Sequence, residues 1–308
     1  MATRRRERIL FVALLAAMCA SVLLAYWILF GRTPTVGVVE PDARPVVARV
    51  EVTRVTGEAW VTRGGAPRGP LLAGTGLQES DVIETSAGAR VELGAGESYQ
   101  VLLDGSARFA VKEITAELSR FRLDEGLAEA TVKGAAGRLL VIDSSDDASV
   151  KTRGGRLSVA VSGGRVALGV TEGEAQLGSG GQLVAVNAGQ ISVAERGRAP
   201  SAPAPLPRSL LLKIEWPTVR ETNRRRMVVR GRTTPGALVS VGGERVQVDS
   251  DGAFTHVLQL REGEQIIEAA ASDVAGRREK ERSPPVVLDT RAPETRFDTR
   301  DLWGKRRQ

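Results

Sequence analysis

Apolar residues recur at every second position through most of this chain, and glycine-containing pairs break the runs. The alternation runs through Val50/Val52, Ala89/Val91/Leu93, Tyr99/Val101/Leu103, Ala107/Phe109/Val111, Leu157/Val159/Val161, Val166/Leu168/Val170 and Ile191/Val193. A period of two places these side chains on one face of an extended backbone, so it predicts half-buried strands. Gly-Gly, Ala-Gly and Asp-Gly pairs between the runs supply the positive φ that tight turns need. With 34 glycines, 42% hydrophobic residues and only 4% aromatics, the cores must be filled by small and β-branched side chains. The predicted fold class is therefore all-β. One stretch of mixed character, KEITAELSRFRLDEG from Lys112 to Gly126, suits either a strand or a short helix.

The segment GGRLSVAVSGGRVALGV, Gly154 to Val170, repeats Gly-Gly-Arg and its alternation after nine residues, and GGQLVAV from Gly180 is a looser third copy. Calcium-binding nonapeptide rolls need an aspartate within each G-G-x-G-x-D unit to supply oxygen ligands. Here those places hold Arg, Leu, Ser and Val, so no ion is held. A nucleotide loop needs a glycine turn that opens a helix. The residues after each Gly-Gly alternate as a strand, which leaves antiparallel hairpins or short solenoid rungs.

At 308 residues the chain exceeds one ordinary domain. Ile9 to Phe30 is an uncharged apolar run, which as a helix would rise roughly 33 Å, enough to cross a hydrocarbon core. It is longer than the usual signal-peptide core, and no good Ala-x-Ala site follows. The predicted form is an uncleaved anchor, with a removed signal peptide as the competing reading. Arg4, Arg5, Arg6 and Arg8 precede it, which puts residues 1–8 in the cytoplasm and the rest outside, in the periplasm if the membrane is a bacterial inner one. With Glu7 among them, these arginines carry half of the excess of 43 basic over 37 acidic residues and leave the remainder close to balanced, so the basic pI is not a nucleic-acid signal. The one cysteine, Cys19, lies inside the run without a lipoprotein context, so the exported part has no disulfide.

Residues 31–48, with Pro34, Pro41 and Pro45, form a stalk; 49–195 form a first β domain. APSAPAPLP, within 196–208, is a proline-rich linker, which in polyproline II would hold its flanking domains roughly 28 Å apart. A second β domain follows over 209–289, with Phe254 and Ile266 facing its core, and 290–308 form a basic tail.

VTGEAWVTRGGAPRGPLLAGTGLQESDVIETSAGARVEL, Val55 to Leu93, resembles the start of FecR domains, with V-x-G-x-x-x-V, G-x-x-L, D-x-I-x-T and x-R-V-x-L in order. FRLDEGLAEATV (Phe121 to Val132), Thr152-Arg153-Gly154-Gly155, VTEGEAQL (Val170 to Leu177) and NAGQ (Asn187 to Gln190) resemble the family's later segments. The D-G-S hairpin is displaced to Asp104-Gly105-Ser106, and Gly155-Arg156 replaces Gly-Thr. The resemblance covers about residues 50–195 and implies an all-β exported module, sandwich-like or solenoid-like, that binds other proteins. The family's best-known members are transmembrane regulators whose cytoplasmic domain grips a sigma factor. Eight cytoplasmic residues are too few for such a domain, which favours the exported binding role. Val228 to Gly276, with G-x-T-x-P-G-A-x-V-x-V, V-D-x-D-G-x-F and A-x-D-x-A-G, resembles bacterial Ig-like sandwiches, which implies fold but no function.

Chemistry is sparse. His256, the one histidine, lies on a strand with no nucleophile or paired acid beside it in sequence, so a surface or packing role is expected. Asp143, Asp146 and Asp147, like Asp249 and Asp251, lack a calcium-loop ligand set and suit turns. Zinc and thiol chemistry are excluded outside the membrane, and no paired carboxylates stand out, so no cofactor, metal or catalytic residue is expected. Of the aromatics outside the membrane run, Trp303 lies in the tail beside Arg300, Lys305, Arg306 and Arg307, a candidate partner-binding group. The expected function is a non-enzymatic, single-pass, envelope-facing scaffold or sensor. Its sheet edges or loops bind an envelope protein or peptidoglycan or another polysaccharide. The alternatives are a transmembrane regulator of sigma-factor signalling and a glycan-binding accessory protein.

Overall fold

A computed structural model describes residues 49–134, 138–145, 147–218, 221–249 and 251–291. The anchor predicted over Ile9–Phe30 and the tail cluster Arg300, Trp303, Lys305, Arg306 and Arg307 lie outside them. Among the described residues no helix is long and apolar enough to cross a membrane, and the regular structure is all β.

Strands β1 (Val50–Thr56), β2 (Ala59–Thr62), β3 (Gly69–Pro70), β4 (Gly76–Leu77), β5 (Val82–Thr85) and β6 (Arg90–Gly94) lead into two long strands, β7 (Tyr99–Ile114) and β8 (Leu118–Val132). Each long strand bends. The first part of β7 pairs with β6 and the second with β5, with register shifts where Gly126, at φ 114°, lies against Ala107. A bulge there lets one strand turn a corner of the sheet. KEITAELSRFRLDEG is thus a hairpin, closed at Thr115–Leu118 by bonds from each backbone N–H to the other residue's oxygen.

After β9 (Leu139–Ser144), which pairs parallel with β8, come β10 (Ser149–Thr152), β11 (Gly155–Ser162), β12 (Arg165–Ser179), β13 (Gln182–Asn187), β14 (Gln190–Glu195) and β15 (Ala204–Pro205). The glycine repeat resolves as hairpins. Gly163-Gly164 joins β11 to β12 and Gly180-Gly181 joins β12 to β13, all four with positive φ, leaving Ser162 opposite Arg165 and Ser179 opposite Gln182. Two positive φ values in a two-residue loop match the strands' right-handed twist. The first core collects Tyr99, Phe109, Phe121, Leu103, Leu123 and Leu168, all at most 1% exposed.

The second module has β16 (Leu212–Glu215), β17 (Glu221–Thr222), β18 (Arg226–Thr233), β19 (Leu238–Val241), β20 (Glu244–Val246), β21 (Ala253–Gln259), β22 (Gly263–Gln265), β23 (Glu268–Ser272), β24 (Arg278–Arg282) and β25 (Val286–Leu288). They form three small sheets, β16-β18-β21, β17-β25-β22 and β20-β19-β23-β24, around Phe254, Val229, Val241 and Ala269. Phe254 is buried as expected, but Ile266 is 60% exposed. Irregular backbone follows β22, so the inward position falls on Ile267, whose N–H bonds the Ser283 hydroxyl. A one-residue slip of this kind exchanges the faces.

The proline-rich stretch does not space the modules apart. It turns back along β14, where β15 pairs Gln190 with Pro205 and Ile191 with Ala204, and Leu206 packs with Ile191 and Val193 against an apolar cluster. That cluster joins Leu127, Ala160 and Ala167 of the first module to Leu238 and Val274 of the second. Strand β11 and the first half of β12 are consequently buried on both faces, the outer one presenting mostly small side chains. Around this contact Arg278 Nη2 lies 2.8 Å from Asp104 Oδ2, Arg245 Nη2 donates to the Gly105 carbonyl at 2.7 Å, and Arg165 Nη1 donates to the Asp249 carbonyl at 3.2 Å.

Candidate functional site

The chemistry-bearing residues singled out from sequence do not converge. His256 Nε2 lies 3.1 Å from Glu244 Oε2, a carboxylate brought from β20 that its own neighbours do not reveal. Asp143 holds Arg120 at 2.6 Å, a bond that raises the guanidinium pKa. Asp147 stands at φ 66° in the turn before β10, and Asp146 is outside the described residues. Asp251 accepts from the Ala253 N–H and from Arg232, holding its carboxyl below the usual range. Among the described residues no three His, Cys, Asp or Glu side chains group as ligands.

Cavities offer little more. Between the modules a cavity of about 20 Å³, lined by Ala160, Ala167, Gly236 and Leu238, has room for a water at most. A shallow trough of about 620 Å³ lies by Lys112, Glu113, Arg120, Asp143 and Asp147. Its Arg120 is already paired with Asp143, and Arg122 with Asp124 at 2.7 Å.

The edge of the first module is more specific. Strands β13 and β14 form one long edge along β12, interrupted at Ala188-Gly189. The outer flank of β14 is filled by the linker: Ser201 N–H donates to the Val193 carbonyl, Val193 N–H to Ser201 Oγ, and β15 completes the pairing. The outer flank of β13 is different. Among the described residues no backbone hydrogen bond reaches that side of Gln182–Val186. Its sequence, QLVAVN, carries no charge and no proline. Edge strands are ordinarily blunted by Lys, Pro, bulges or a covering loop.

Local sequence explains the display. Val186 turns inward and is fully buried, so Leu183, Ala185 and Asn187 turn outward on the other phase of the alternation. Leu183 is 63% exposed and lies across Gly178, its cross-strand partner, where an added Cβ would sit 2.8 Å from Leu183 Cδ2. A glycine there lets an apolar side chain lie flat beside an open ladder of main-chain donors and acceptors. Such an arrangement can add a strand from another protein, main-chain bonds giving affinity and alternate side chains specificity.

Comparison with known proteins follows this division. Residues 81–176, from β5 into β12, match the family model described as FecR protein, and residues 212–288 match that described as Glucodextranase, domain B. The FecR resemblance read from the sequence is thus shown over that segment. No curated protein matches the chain. A crystal structure of a candidate anti-sigma factor from Parabacteroides distasonis ATCC 8503 is similar at 14% identity and a TM-score of 0.36, over 40% of this chain and 59% of that one. A second such structure, from the same organism, gives 13% identity, a TM-score of 0.36 and the same coverage. A polysaccharide lyase overlaps 79% of this chain and 40% of its own, at 6% identity and a TM-score of 0.20. The similarity therefore spans about three fifths of the anti-sigma factor structures.

Proposed function

We propose that the chain is a FecR-type, membrane-linked regulator of sigma-factor signalling, and that its β unit is a non-catalytic sensor that takes up an extended segment of a partner protein along β13. The observation that carries the reading is the uncharged, unpaired flank of β13, lying directly after a FecR-matching segment that ends within β12. The anchor over residues 9–30 would hold this sensor on the periplasmic face of the inner membrane. The scaffold or sensor expected from sequence shares the partner binding, and the FecR match supports placing that binding in sigma-factor signalling.

Lysines at the two outward edge positions should block strand addition without touching the core, because charged edges reject pairing. In cells carrying the full chain, Leu183→Lys/Ala185→Lys is expected to change the same transcripts as deletion of the gene, at unchanged protein level, read by RNA sequencing. Deletion that leaves transcription unaltered would replace the regulator by the display scaffold. A double variant that behaves as wild type would move the sensing surface elsewhere.

A further inference from the structure

The outer face of β16-β18-β21 carries a line of cations that the fold does not use. Strand β18 alternates strictly, with Met227, Val229, Gly231 and Thr233 buried and Arg226, Val228, Arg230 and Arg232 exposed. The three arginines span about 20 Å along one strand. Lys213 on β16 stands directly opposite Arg232, an exposed like-charge pair of the kind that costs stability. Asp251 partly offsets it, at 3.3 Å from Arg232. Among the described residues Arg226, Arg230 and Lys213 have no ion-pair partner, and the acid on the same face, Glu215 opposite Arg230, makes no ion pair with it.

Between the cations lies a different surface. Val228 and Val257 face each other across β18 and β21, 47% and 50% exposed, forming a small apolar step. Thr255 and Gln259 flank it, opposite Arg230 and Arg226, and add a hydroxyl and an amide. We infer that this face binds an acidic polysaccharide lying along β18. Its carboxylates would meet the guanidinium forks of Arg226 and Arg230, which match a planar carboxylate bidentately. The C–H face of a sugar ring would rest on Val228 and Val257, and its hydroxyls would reach Thr255 and Gln259. Among the described residues these strands expose no aromatic to stack on a nucleic-acid base, and the exposed apolar surface is small, Val228 and Val257 with Leu211 just ahead of β16. Guanidinium groups set beside a hydroxyl, an amide and a small apolar step therefore fit an acidic glycan. This surface is on a different module from β13, so the proposal stands or falls apart from the sensor reading.

The test uses the full chain in a nonionic detergent, with polygalacturonate as probe and neutral dextran as control. Wild type should bind polygalacturonate and not dextran, with affinity falling about tenfold between 50 and 200 mM salt. Arg226→Ser/Arg230→Ser should lose about tenfold or more at an unchanged melting temperature. Lys280→Ser/Arg282→Ser removes the same charge from exposed residues paired with Glu268 on another sheet, and should stay within about twofold of wild type. Failure of wild type to bind polygalacturonate overturns the proposal. So does equal loss in both double variants, which would reduce the effect to net charge. Tighter binding to duplex DNA than to polygalacturonate also overturns it.

Discussion

Glycine marks where backbones cross, and its positions differ in what they require. Gly155, at φ 111°, sits opposite Gly173 where β11 shifts register against β12, and a Cβ there would lie 2.1 Å from the Glu172 carbonyl oxygen. Gly181, at φ 75°, has nothing within 4 Å of its would-be Cβ. Gly155→Ala is expected to cost about 2–4 kcal/mol, from strain and collision together. Gly181→Ala should cost only about 1–2 kcal/mol, the penalty of a left-handed residue. Urea denaturation with a shared m-value separates the two. A similar cost at both sites would mean that conformation alone, not the crossing, sets the requirement. The two positions look alike in sequence, each the second glycine of a Gly-Gly pair. Alternation at Leu157/Val159/Val161 was legible because every residue reports its own face, whereas a crossing depends on a strand elsewhere in the chain.

The same contrast governs strands and sheets. Period-two runs located β1, β6, β7, β11, the first half of β12 and β14, since burial of one face is a local signature, whereas β8 lay largely in the stretch that suited either a strand or a short helix. Ile191 and Val193 followed the pattern too, yet they pack in the cluster between the modules rather than in the first core. Neither the open flank of β13 nor the like-charge pair across β16 and β18 could be read from spacing. The first depends on where the linker stops, and the second on β16 bringing Lys213 opposite Arg232. That pair makes a prediction about the element itself. Lys213→Glu replaces repulsion across the β16-β18 ladder by attraction and should stabilise the chain by about 0.5–1 kcal/mol. Denaturation at low salt would show the gain, and it should shrink in about 1 M salt, where screening acts within about 3 Å. The same variant should weaken polygalacturonate binding, which would mark a sheet face kept less stable in exchange for a ligand. No gain at low salt would mean that Asp251 already neutralises the cluster.

On the scale of the whole chain, the two modules behave as one unit because polar and apolar contacts close around the same joint. Proline-rich segments between domains ordinarily act as spacers, and proline content alone could not reveal that this one returns to pair with β14. Burial pushes the Arg245 guanidinium below its ordinary value, a cost offset by Glu125, 3.6 Å from its Nε, and by the bond to the Gly105 carbonyl. Both of those groups belong to the first module, as does Asp104, the partner of Arg278. Removing the two arginines would leave the Gly105 carbonyl and Asp104 Oδ2 without their donors from the second module, although Asp104 keeps Arg90 at 3.4 Å and Glu125 is half exposed, and a buried group left without its partner costs about 1–3 kcal/mol. Calorimetry of the wild-type β unit should therefore show one transition with equal calorimetric and van't Hoff enthalpies. Arg245→Ala/Arg278→Ala should divide it into two, the second module melting first because its three small sheets bury the smaller core. Retention of a single transition would show that Leu127, Ala160, Ala167, Leu238 and Val274 suffice to couple the modules. The split carries a functional consequence: if β13 senses a partner and β18 holds a glycan, only a coupled joint lets occupation of one surface alter the other. Loss of coupling in the double variant should then leave both affinities intact while removing any dependence of one on the other.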